Sequence, residues 1–315
     1  MLIARQFGFL TDFTTDISAD GFAIRACCDT AEVRAYVDAR CHADGWLYPP
    51  ATPSSGGAVQ DVPAAHYARI SSPPLRMKPA HLWRPPWPTH LQECEEGADD
   101  AERLMASLVL HTLAFALGTR LQFSDWWFDT RVRMTRAPPF SCRSGELQRL
   151  LQTAFLTGQA LTPERLRALV NILCVYARSS TYEWRWEQFS ALYMCLDACW
   201  RLFNDLAIIK PPKNGKADIP HNKRFEFLCS ELGIPDSPAD RTAIIALRNP
   251  LAHEALWSGH TLTSDDGEGS RRVGQLREFV AVLIVRLLGV DCDFAKQAWS
   301  LAGQGQPSLG LSAAG

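Results

Sequence analysis

The chain has no CxxC pair and no repeated Cys/His spacing although it carries ten cysteines, so the ligand pattern of a structural zinc site is missing. No apolar run approaches the roughly 20 residues that span a bilayer. The opening residues, MLIARQFGFLTDFTTD, lack the basic segment, apolar run and small-residue cleavage site of a secretion signal. There is no glycine-rich phosphate loop, no serine-centred nucleophile elbow and no zinc-protease pattern, which leaves those enzyme classes without a foothold. An excess of one charge is missing too. The formal net charge of −2 offers phosphates no general attraction, so any nucleic-acid contact must come from a local basic patch. These absences predict a cytoplasmic protein with no membrane partner. In a reducing compartment Cys174, Cys195 and Cys199, lying in apolar helical stretches, serve as small buried hydrophobes.

What is present is a folding composition, 47% hydrophobic and 21% charged over 315 residues, enough for two unequal cores. No internal repeat organises it. Residues 1–135 read as a small, irregular α+β region that begins with short alternating stretches and continues through Pro, Gly and Ser clusters such as YPPATPSSGG. Within it, Asp99 to Leu117 has the apolar spacing of a helix capped by Gly118, a credible first helix of the main body, and Leu121 to Met134 reads as extended or hairpin-like. Residues 140–303 read as a mainly α antiparallel bundle. Its helices are expected over Glu146–Thr157, Pro163–Ala177, Glu183–Ile209, Arg224–Leu232, Arg241–Trp257 and Val273–Leu288. Ser237 and Pro238 supply the start of the fifth, and Gly233 and Gly289 end the fourth and last. TSDDGEGS reads as a loop and residues 304–315 as a flexible tail.

The stretch Leu247-Arg248-Asn249-Pro250-Leu251-Ala252-His253 resembles the Arg-polar-…-His motif of the HEPN ribonucleases, which commonly reads Leu-Arg-Asn-x-Leu-Ala-His. The wider stretch from Leu108 to Leu288, with Leu113-x-Phe115-x-x-Gly118 and the aromatic run after it, resembles the ApeA-like branch associated with bacterial defence against phage. The resemblance implies a HEPN-type bundle, an RNA substrate, a metal-independent endoribonuclease with no cofactor, and a homodimer with a composite site. It also implies a toxin-like effector of abortive infection that answers a phage-derived or cellular trigger, with the N-terminal region as the place for sensing or restraint. The sequence departs from the common motif at Pro250, and Glu254 stands where the family often has Gly.

The residue types suit that chemistry independently. Metal-free RNA cleavage needs a group that moves a proton near neutrality, and His, with an unperturbed pKa of about 6.5, is the side chain for it. It also needs fixed positive charge where the phosphate gathers negative charge, which favours Arg over Lys. Hence His253 is the expected acid/base and Arg248 the phosphate clamp. Asn249 either orients His253 or binds phosphate, or it is a plain N-cap before Pro250. On a straight helix Arg248 and His253 diverge by about 140°, so the two meet only if Pro250 kinks or restarts the helix or if a second chain completes the site. Lys213, Lys216, Lys223 and Arg224 just before the motif helix form an expected RNA-tracking surface, which a solvated loop explains nearly as well. Tyr182, Trp184 and Trp186 could stack on bases, with core packing the better-supported role. The rival to an enzyme is a non-catalytic HEPN module that binds RNA, a nucleotide or a partner protein as scaffold or regulator.

Overall fold

Helices dominate the structure, a computed structural model that describes residues 2–8, 16–27, 30–42, 45–49, 51–53, 59–60, 77–79, 82–84, 90–95, 103–123, 128–129, 131–133, 138–209, 219–262, 267–297, 299 and 307–311. Two compact units divide it, residues 1–98 with 119–136 and residues 99–118 with 137–315. The division is therefore not a single cut near residue 135. The helix before Gly118 joins the helical unit, because its almost wholly apolar surface can be buried only among other helices. Among the described residues no helix is long and apolar enough to cross a membrane.

The first unit is built on an antiparallel sheet of β1 (Leu2–Gly8), β2 (Ile17–Ala19), β3 (Phe22–Ala26), β4 (His90–Glu95) and β5 (Gln122–Phe123), ordered β5-β1-β4-β3-β2. Alternation sends Phe22 and Ile24 of β3 inward with Phe7, Ile17 and Cys94. The unit also holds helix α1 (Thr30–Asp38). The described parts of 121–134 are extended, as the sequence indicates, and do not pair with one another as a hairpin. Gln122–Phe123, Phe128–Asp129 and Val132–Arg133 each pair with a different earlier strand.

The second unit contains α2 (Arg103–Leu117), α3 (Ser144–Gln159), α4 (Pro163–Ser179), α5 (Arg185–Asp205), α6 (His221–Leu232), α7 (Pro238–Glu254) and α8 (Gly267–Leu287). Thr162 caps α4, its hydroxyl accepting from the Arg165 N–H, with Pro163 at the first helical position. Gly118, Gly233 and Gly289 end helices with positive φ. The core centres on α5, packed between α4 and α8, while α2 lies against α3 and α4. Gly158 on α3 lets α2 approach closely, since a Cβ there would collide with Leu108 and crowd Met105.

Two sequence expectations are corrected here. Helix α8 starts at Gly267, so GEGS is helix rather than loop. Glu268 pairs with Arg271 at 3.0 Å and Arg272 at 2.6 Å, one helical turn on, and these pairs offset the cost of two glycines. The segment 307–311 is not a free tail. The Ser141 N–H donates to Pro307 O at 2.7 Å and the Leu309 N–H to Ser141 O at 2.8 Å. The Asp293 N–H donates to Gly310 O, and the Leu309 side chain is fully buried. Gly310 has φ 58, and a side chain there would strike Asp293.

Candidate functional site

Helix α7 lies at the outside of the bundle, with only Ile244 and Leu247 buried, against α6 and α8. Charge fixes its start. The Ser237 hydroxyl donates to Asp240 at 2.6 Å, and Asp240 takes an ion pair from Arg272 of α8. These bonds hold the Asp240 carboxyl down at about 2. Arg241 bridges to Glu226 of α6 at 2.8 Å and Asp236 at 3.2 Å. A helix so anchored at its start presents its far end, 248–254, to solvent.

Arg248, Asn249 and His253 come together there within one chain. The Arg248 Nη1 lies 3.2 Å from Asn249 Oδ1 and 3.5 Å from His253 Nε2. The helix runs through Pro250 without restarting, and the contact is made without a second chain. The divergence at Cα is spanned by the long arginine side chain. A guanidinium can only donate, so His253 Nε2 is the accepting side of this approach. Asn249 is inside the helix and is not an N-cap; its amide oxygen accepts from Arg248. Pro250 has no N–H, which leaves the Ala246 carbonyl without its usual helical partner, and Ala246 is exposed to water. The helix closes on Ala255 in the left-handed conformation, φ 54, and the N–H of the next residue, Leu256, donates to Pro250 O at 3.3 Å.

Beneath Arg248 lies a face of α5 of which the sequence singled out Trp186 alone. Trp186, Ser190, Tyr193 and Asp197 recur at helical spacing, and the Arg248 guanidinium carbon stands 5.8 Å from the centre of the Tyr193 ring. Burial and the nearby Asp197 push the Tyr193 hydroxyl up to about 12, against the pull of Arg248 and Arg224. Asp197 in turn accepts from Arg224 at 2.7 Å and lies 3.2 Å from His221 Nδ1. The His221 and Tyr193 ring centres are 6.3 Å apart. Only the spacing of 186, 190, 193 and 197 along one helix could have flagged this face.

Arg224 is therefore removed from the expected RNA surface. It is 5% exposed and committed to Asp197 and to the Ile219 carbonyl, so it locks α6 onto α5. Lys223 is exposed and pairs with Glu226 at 3.1 Å. Lys213 and Lys216 lie outside the described residues.

A cavity of about 320 Å3 opens beside Arg248, between α5, α7 and Leu262. Comparison of the chain with family models, with curated proteins and with solved structures finds no match.

Proposed function

We propose that the protein is a metal-independent endoribonuclease of the HEPN class, working as a homodimer and serving as a defence or toxin-type effector. The observation that carries this reading is the meeting of Arg248, Asn249 and His253 at the exposed end of α7, with Nη1 and Nε2 3.5 Å apart. In the reaction the ribose 2′-oxygen attacks the adjacent phosphorus, and its proton passes to His253. Arg248 grips the phosphate oxygens as they gather charge. The P–O5′ bond then breaks and the leaving 5′-oxygen takes a proton, giving a 2′,3′-cyclic phosphate and a 5′-hydroxyl. One histidine cannot give and take a proton at opposite sides of the phosphorus at the same moment, so the second copy of the motif in a dimer supplies the other carrier. Asn249, bonded to Arg248, orients the guanidinium when phosphate draws it from His253.

Purified chain incubated with labelled RNA in EDTA tests this. Chelator-resistant cutting that leaves cyclic phosphate and is lost in both Arg248→Ala and His253→Ala supports the enzyme. Binding without cutting, equal in all three, replaces it with the scaffold reading.

A further inference from the structure

Arg248 belongs to two places at once. It touches His253, and among the described residues it is the one charged residue lining the cavity between α5 and α7. Apart from Ser190, the rest of the described lining is apolar or aromatic. Trp186, Phe189 and Tyr193 form its wall on α5, and Leu251 and Ala252 face it from α7. Phe189 and Tyr193 are almost fully buried, while Met194 is 59% exposed and Ala252 and Ala255 lie open at the rim. The Ser190 hydroxyl already donates to the Trp186 carbonyl, and the described lining residues include no carboxylate. About 320 Å3 lies at the small end of ligand sites, room for one flat ring system.

We infer that this cavity receives a nucleobase of single-stranded RNA, stacked among Trp186, Phe189 and Tyr193, with the phosphate of the same nucleotide on Arg248. The chemistry of the walls selects the occupant. A flat aromatic group gains from the rings, an anion one nucleotide-length away gains from the guanidinium, and no described lining residue repels either. This inference rests on the ribonuclease reading and deepens it, because it places the scissile phosphate by holding the base beside it. With few hydrogen-bonding groups in the walls, recognition is by stacking and size rather than by base edge, so the site accepts any base that fits. An RNA duplex, whose bases are stacked on one another, cannot fill it.

The test measures binding of fluorescein-labelled oligoribonucleotides to the full-length His253→Ala chain, which cannot consume them under the proposed mechanism. A base-bearing hexamer and an abasic hexamer of equal charge are compared. The base-bearing probe is expected to bind about tenfold tighter. Trp186→Ala is expected to erase that difference and Trp186→Phe to restore it. Ala252→Phe, which fills the cavity from its exposed rim without opening the core, is expected to erase it as well, with a melting curve to show each variant folded. Equal affinity for the two hexamers, no binding at all, or indifference to both Trp186→Ala and Ala252→Phe overturns the inference. So does a change in dimer mass on sedimentation without a change in RNA affinity, since the cavity would then be covered by a second copy of the chain. Failure here is distinguishable from failure of the enzyme reading. Cutting by the wild type that ignores Trp186 leaves the ribonuclease standing without this pocket, and base-dependent binding without cutting leaves the pocket in a non-catalytic module.

Discussion

At the scale of single residues, the proposed site demands different things of its three side chains. His253 handles the proton, so His253→Ala should lower cleavage about 10²–10⁴-fold. Arg248→Lys keeps the charge and loses the planar fork, and cleavage by this variant should fall at least about tenfold. Initial rates on one RNA substrate check both, and a lysine variant as fast as the wild type would remove the clamp from the mechanism. A second residue-scale effect concerns stability. Half-buried Glu278 on α8 has its carboxyl pushed up to about 7 by burial. Between the ordinary value of 4.5 and about 7 the folded chain holds a proton that the unfolded chain has released. Stability therefore falls as pH rises through that window and stays lower above it. Because the side chain still meets water, Glu278→Gln should regain only about 1 kcal/mol at pH 8 and nothing at pH 4. Melting temperatures at the two pH values decide it.

At the scale of elements, α7 is strained where the chemistry is proposed. It has a proline inside and a left-handed alanine at its end. Ala255→Gly removes the second cost and should stabilise the chain by about 0.5–1 kcal/mol in urea titration, less the flexibility glycine lends the unfolded state. How far these elements were legible in the sequence depends on who supplies the restraint. Thr162-Pro163, Gly118, Gly233 and Gly289 act locally, and the helices they bound end where the sequence places them to within a few residues. GEGS was misleading because its glycines speak for a loop while Glu268 and Asp240, the latter on another helix, hold Arg271 and Arg272. Arg224 was misleading for the same reason. Its partner Asp197 is 27 residues away, and no spacing rule shows which surface cation will be buried. The motif was legible as a string of residues, but its geometry was not, since a turn angle between Cα positions ignores how far arginine reaches.

At the scale of the whole molecule, the C-terminal segment closes the helical unit. Ending the chain at residue 306 removes the buried Leu309 and the backbone bonds at Ser141, Asp293 and Phe294. The loss should be about 3 kcal/mol, read as a lower urea midpoint. A midpoint equal to that of the full chain would make the segment a mere attachment. A fragment beginning at residue 140 should fare worse, because it omits α2 and strips cover from α3 and α4. Its circular dichroism should show no cooperative melt.

The assignment of α2 to the helical unit, ahead of β5 in the chain, matters most while the protein is being made. When α2 leaves the ribosome, α3 and α4 have not yet emerged behind it, and the sheet that precedes it still lacks β5. A helix carrying Leu108, Val109, Leu110, Leu113 and Phe115, all destined for burial, must wait for its partners in the open. The nascent chain thus passes through an interval in which its most apolar helix is its most exposed, and at that length it should depend on chaperones.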